Sequence, residues 1–173
     1  MTHWSVRHAD VFDADADGLI CSANPNLNLS GGVGGALLLR YGEEMQTHLH
    51  GYLTKNHRKF VEPGTVVVTP SCGSPFAAIA HAVAIDAFYD TNADIIYRTY
   101  KFAIAQLTAV KCRNIAATCL GCGYGRCSVD EFIKSVAALI AIPIKDVDTF
   151  TFVTTNADLV DSISETIAAN VAT

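Results

Sequence analysis

The sequence predicts an α/β fold: a three-layer α/β/α sandwich around a mixed, largely parallel sheet. Three observations predict it. Short apolar or β-branched runs alternate with helical patterns through the second half of the chain, the order that builds a parallel sheet covered on both faces. Half of the 173 residues are apolar and only 17% are charged, enough for one domain, 1–173, with a substantial core. Two glycine-rich segments, Asn24–Gly35 and Gly121–Gly125, each follow a strand and precede a helix.

The first strand is predicted at about His3–Arg7, leading to Ala9-Asp10-Val11. Asp13, Asp15 and Asp17 then alternate with alanine. The start resembles a calcium loop, but its twelfth position is Asn24 rather than glutamate, so a solvated acidic turn is the better reading. A strand at Gly18–Ser22 enters the first glycine segment, and a helix follows from about Gly35, broken near Gly42 and resuming to Lys55. Pro63-Gly64 is a turn into the β-branched strand Thr65–Thr69, and Ala77–Ile85 reads as its buried partner. Between Ala93 and Cys112, Ile96, Tyr100, Ala103, Leu107 and Val110 step by four and three along one helix face. A strand at Ile115–Cys119 ends in the second glycine segment. Ser128-Val-Asp-Glu131 fits a capping box opening a helix to about Ile140. Phe150–Thr154 is the last strand, and Asn156 caps a helix whose inner stripe is Leu159, Ile163 and Ile167.

The glycine segments carry the chemistry. A glycine-rich turn ahead of a helix presents unpaired N–H groups and the positive end of the helix dipole, an anion site of the kind phosphate occupies. Neither G-x-G-x-x-G nor G-x-x-x-x-G-K-[ST] is present, so the dinucleotide and P-loop fingerprints fail. In parallel sheets ligands bind at the carboxyl ends of strands. Two such loops on one edge point to a diphosphate held between them.

Composition excludes several classes. The net charge of −5 argues against an extended nucleic-acid surface, though not against one nucleotide held by backbone groups. There is no basic-then-apolar leader and no apolar run of membrane-span length, so a cytoplasmic location without membrane contact is expected. The six cysteines (21, 72, 112, 119, 122 and 127) then read as free thiols. Cys119-Leu-Gly-Cys122 is formally C-x-x-C, with Cys127 nearby, but no second pair or H-x-x-H accompanies it. No metal and no cofactor are expected.

Five ordered segments resemble the macrodomain family, the ADP-ribose-binding modules. They are Ala9-Asp10-Val11, Ile20-Cys21-Ser22-Ala23-Asn24, Ser30-Gly31-Gly32-Val33-Gly34-Gly35-Ala36-Leu37, Pro63-Gly64, and Ala80-His81-Ala82-Val83. They are similar to the family's G-D-I turn, V-N-A-A-N strand end, G-G-G-V-D-G-A-I helix start, P-G turn and I-H-A-V strand. The late glycine loop adds a sixth point of likeness, and the spacing from Asp10 through Asn24 to Ala36 matches without gaps.

That resemblance implies a site. Asp10 accepts a hydrogen bond from the adenine amino group, since a carboxylate only accepts, and the Val11 N–H supports the ring. Asn24 meets the distal ribose hydroxyls and is the one residue with a tentative catalytic role. Gly31, Gly32, Val33 and Gly34, with Gly121, Cys122, Gly123 and Gly125, present the two loops' N–H groups to the diphosphate. Tyr124 covers the distal ribose and phosphate. Thr155 and Asn156 stand against the adenine. The plainer alternatives are a turn cap for Asp10, an exposed loop aromatic for Tyr124 and a helix cap for Asn156. His81 reads as a core histidine.

The departures bear on cleavage. Family hydrolases with G-V-D-G carry an aspartate where Gly34 stands, and Cys21 replaces the first asparagine of N-A-A-N. Gly121–Arg126 resembles the G-C-G-L loop of macrodomains that remove ADP-ribose from glutamate or nucleic acid. Those carry an aspartate at the position of Gly125 and a lysine after the I-H-A-V strand, and Asp86–Tyr97 contains no lysine. Losing general-base help costs roughly 10²–10⁴-fold. A binder of ADP-ribose, free or attached to a macromolecule, is therefore expected. The alternative is a hydrolase removing ADP-ribose or its acetyl or phosphate esters, and a third is a zinc or redox protein using Cys119, Cys122 and Cys127.

Overall fold

The computed structural model describes residues 1–171; Ala172 and Thr173, the end of the expected 1–173 domain, lie outside the described residues. The strands are β1 (His3–His8), β2 (Gly18–Ser22), β3 (Val66–Pro70), β4 (Ala78–Ala82), β5 (Asn114–Thr118) and β6 (Thr149–Thr154). The helices are α1 (Gly32–Tyr41), α2 (Glu44–Lys55), α3 (Ala93–Ala109), α4 (Val129–Ile140) and α5 (Ala157–Val171), with a 3-10 turn at Val11–Asp13.

One six-stranded sheet runs in the order β1-β6-β5-β2-β4-β3. All neighbours are parallel except β3 and β4, where Val66 opposes Ala82 and Pro70 opposes Ala78. Successive residues of a strand feed opposite layers because side chains alternate. Ile20, Ala117, Phe150 and Phe152 join the core under α3, α4 and α5, whereas Leu19, Cys21, Ala116 and Val153 join the core under α1 and α2. Trp4, Tyr100, Phe132, Phe150 and Phe152 form the aromatic centre of the first core, with ring centroids 4.9 to 6.3 Å apart.

Several boundaries differ from the predicted ones, each for a local reason. α1 begins at Gly32 rather than about Gly35, because Gly31 (φ 60°) turns the chain directly into the helix. α3 ends at Ala109, where Lys111 adopts φ 72° and the Cys112 N–H returns to the Leu107 carbonyl. β4 stops at Ala82, and Ala84 and Ile85 turn toward the cleft described below. The capping box is half formed. Ser128 Oγ accepts the Glu131 N–H at 3.2 Å, but the Glu131 carboxylate accepts the N–H of Ala93, the first residue of α3, at 3.0 Å and pairs with Lys134 at 2.7 Å. Asp17 is not a solvated turn residue: its carboxylate accepts the N–H groups of Arg113 and Asn114 at 2.9 Å each, fixing the start of β5.

Candidate functional site

β2 and β5 are neighbours, so the segments leaving their carboxyl ends emerge side by side. Because β2 also pairs with β4 on its other side, the sheet order turns away from β2 in both directions, which is where open α/β sheets form their crevice. A cleft of about 730 Å³ lies there. Its lining includes every residue that the resemblance assigns to the ligand site: Asp10, Val11, Asn24, Gly31, Gly32, Val33, Gly34, Gly121, Cys122, Gly123, Tyr124, Gly125, Thr155 and Asn156.

The first loop is held from below by α2. Gln46 accepts the Leu29 N–H at 2.7 Å and donates to the Leu27 carbonyl at 2.8 Å, while His50 Nε2 meets Asn28 Oδ1 at 2.8 Å. Asn24 works inside the same loop. Its Oδ1 accepts the Asn28 N–H at 3.1 Å, and its Nδ2 donates to the Asn28 carbonyl at 2.8 Å and to Ser30 Oγ at 3.5 Å. Gly31 (φ 60°) and Gly32 (φ 47°) then occupy the left-handed region, and no side chain caps α1. The first N–H groups of the helix lack intrahelical acceptors, and the residues that carry them line the cleft.

The second loop is propped from α3 and from the segment after β4. The fully buried Tyr100 hydroxyl donates to the Thr118 carbonyl at 2.6 Å and accepts the Leu120 N–H at 3.0 Å. The Arg126 N–H donates to the Tyr89 carbonyl at 2.8 Å, and Asp86 Oδ1 holds that segment by accepting from Phe88 and Asp90. Gly125 is packed against the Gly121 carbonyl, which a Cβ at 125 would strike; its distance to the Gly121 carbonyl carbon would be 2.9 Å. Gly34 is different, since a Cβ there would sit at an ordinary 3.4 Å from Leu29 Cα.

The loops meet through Tyr124. A Cβ added to Gly31 would lie 3.1 Å from the Tyr124 hydroxyl oxygen and 3.2 Å from its Cε2, so the ring lies over the glycine backbone. That contact bridges the two loops, and Tyr124 remains 72% exposed on its outer side.

At the far end of the cleft Asp10 is already engaged. Its Oδ1 accepts the Phe12 N–H at 3.0 Å, and its Oδ2 pairs with Arg40 at 2.9 Å. The Arg40 guanidinium stacks 4.4 Å from the Phe12 ring centroid. Asn156 caps α5, accepting the Asp158 N–H at 3.0 Å, and the Thr155 carbonyl pairs with His8 Nε2 at 2.9 Å. Phe12, Arg40, Gln46 and Tyr89 were not legible as site residues. Only Phe12 had a local signal, its position directly after Asp10-Val11.

The thiols near the second loop are not activated. Burial pushes Cys119 up to about 12 and drives Cys122 and Cys127 upward, with neighbouring thiols adding to the Cys122 shift. A protonated thiol is a poor nucleophile. His81 lies outside the cleft lining, fully buried between Thr69 (3.0 Å) and Cys21 (3.6 Å), and burial lowers its pKa to about 3.

Comparison with known proteins identifies a family. The model of the Macro domain matches residues 20–136, more than half of the chain. An uncharacterised protein of Thermoplasma acidophilum is 27% identical over 124 residues, which are 70% of this chain and 63% of the relative. The chain thus spans less than two thirds of that relative's length. A mutant macrodomain of Oceanobacillus iheyensis with ADPR superposes with a TM-score of 0.85 at 16% identity, covering 97% of this chain and 93% of the other. A Trypanosoma brucei macrodomain in complex with ADP-ribose gives 0.77 at 18% identity, covering 95% and 69%. At such identities these structures show a shared fold.

Proposed function

The chain belongs to the macro domain family, and we propose that it binds ADP-ribose, free or carried on a modified macromolecule, between its two glycine-rich loops. The observation that carries the proposal is the bridge of Tyr124 over Gly31. It brings the two glycine-rich loops together beside the cleft, and backbone N–H groups of such loops are the donors a diphosphate requires. A cleft of about 730 Å³ also suits a nucleotide-sized ligand, and two of the similar solved structures carry ADPR or ADP-ribose.

In this proposal Asp10 accepts from the adenine amino group and the Val11 N–H supports the ring, with Thr155 and Asn156 on the ring's other side. Gly31–Gly34 and Gly121–Gly125 donate to the diphosphate. Asn24 meets the distal ribose with the hydrogen-bonding capacity its loop leaves spare, and Tyr124 closes over it. Asp10 keeps free lone pairs for adenine, because a carboxylate has about four acceptor positions and the protein occupies two.

Binding without turnover is favoured over cleavage. Gly34 and Gly125 stand where the family's hydrolases carry aspartates, and the packing of Gly125 on Gly121 leaves no room for a side chain. The six free cysteines fit a reducing compartment, and the cytoplasm is proposed on that ground. No helix among the described residues is long and apolar enough to cross a membrane.

Calorimetric titration with ADP-ribose, against AMP and ADP, tests the proposal. Micromolar binding, clearly tighter than to AMP, is the expected result. No binding would remove it, and release of ADP-ribose from modified protein or DNA ends at enzyme-like rates would shift the chain to the hydrolase class.

A further inference from the structure

A second cluster of chemistry-bearing side chains lies at the other end of the sheet. β3 runs antiparallel to β4, so the turn after Pro70 emerges beside Ala78 and Gly18, at the amino ends of the parallel strands. α1 runs back from the cleft to the same end, and α2 starts there. Glu44, the first residue of α2, and His48, one turn on, share a helix face. Cys72, in the β3–β4 turn, comes to that face from a distant part of the chain. The Glu44 carboxylate, the His48 imidazole and the Cys72 thiol all have ligand atoms within 4.8 Å of one another.

We propose that Glu44, His48 and Cys72 form a binding site for a zinc-class divalent cation, with three protein ligands and one position left to water. The donor set fits that class. Thiolate and imidazole favour zinc over calcium or magnesium, which take oxygen ligands, and a carboxylate oxygen is itself a zinc ligand, so all three donors suit that ion. Around a tetrahedral zinc the ligand atoms stand about 3.3–3.6 Å apart, from bond lengths near 2.0–2.3 Å. The present spacing closes to that by small rotations of Glu44 and His48, whose side chains are exposed and already 3.9 Å apart.

Cys72 is the fixed member. It is buried to 7% exposure and its backbone holds φ 45°, a left-handed conformation that a cysteine adopts only against its preference. On binding, the thiol gives its proton to solvent and the sulfur bonds the metal, with no change of oxidation state. None of the three residues lines the cleft, so the site would clip the start of α2 to the β3–β4 turn independently of ligand binding.

The test uses tag-free, full-length protein stripped with chelator and titrated with Zn²⁺, then with Co²⁺ as a spectroscopic probe. One equivalent should bind, with a thiolate-to-cobalt charge-transfer band and tetrahedral ligand-field absorption. Cys72→Ser should abolish the charge-transfer band. His48→Gln and Glu44→Gln, both at exposed positions, should each weaken Zn²⁺ by at least about tenfold, the lower end of what losing even a supporting group costs. ADP-ribose affinity should not change in any of the three. Absence of stoichiometric metal, a band that survives Cys72→Ser, or a band lost in Cys122→Ser instead would overturn the site.

Discussion

Arg40 Nη2 lies 2.9 Å from Asp10 Oδ2 while its guanidinium covers the Phe12 ring, so α1 and the turn after β1 are joined at one end of the cleft. The two residues should behave differently on substitution. Asp10→Ala removes a charged acceptor for the adenine and should weaken ADP-ribose by about 1.5–3 kcal/mol, roughly ten- to a hundredfold. Arg40→Ala breaks a pair whose members are both nearly half exposed, and should cost less than about 1 kcal/mol of stability. Calorimetry and thermal melts separate these effects; unchanged ADP-ribose affinity in Asp10→Ala would remove the adenine assignment.

Gly31 and Tyr124 should be coupled. Gly31→Ala meets the phenol ring at 3.1 Å and also takes a positive-φ extended conformation (φ 60°, ψ 162°) that is essentially restricted to glycine and costs about 1–3 kcal/mol in other residues. The affinity penalty of Gly31→Ala should be smaller in a Tyr124→Ala background than in the natural chain, because Tyr124→Ala removes the steric component but not the backbone one. A double-mutant cycle measures this, and strict additivity would mean that the ring moves aside freely.

The two missing aspartates should not be equally replaceable. Gly34→Asp places its Cβ at an ordinary contact and should fold with little change in melting temperature. Gly125→Asp drives a Cβ into the Gly121 carbonyl and should lower the melting temperature or distort the loop enough to lose ADP-ribose. If a carboxylate is what hydrolysis lacks, turnover rises in Gly34→Asp alone. A fully stable, tightly binding Gly125→Asp protein would contradict the loop packing.

His81 should stay neutral through the physiological range. Its folded pKa of about 3 lies below the unfolded value near 6.5, so between these values the unfolded chain binds the extra proton. Its contribution to stability is therefore complete above pH 6.5 and is lost as pH falls toward 3, at about 1.4 kcal/mol per pH unit inside that window. Histidine NMR checks the sign: the His81 ring signals should not titrate above about pH 4 while the fold persists. A midpoint near 6 would refute it.

Most elements were legible because their signals are local. The steps of four and three in α3, the β-branched run of β3, and Ser128 and Asn156 as helix caps all act within a few residues. The glycine segments were legible for the same reason. Glu131 shows where local rules stop: its spacing to Ser128 predicts a reciprocal cap, yet the carboxylate serves the first N–H of α3 instead. Asp17, whose alternation suggested solvent, turns out to organise β5.

By itself the sequence determined the α/β class, the order of the elements, two glycine-rich loops at strand ends and the likeness to one family. Only the tertiary structure decided which side chains meet: Arg40 with Asp10, Tyr124 over Gly31, Gln46 under the first loop, and Cys72 beside Glu44 and His48. The physical reason is the range of the forces. Propensity, capping and periodicity are set by neighbours in sequence, whereas these contacts depend on strand order and register. One crossover placed differently would bring other residues together from the same local patterns.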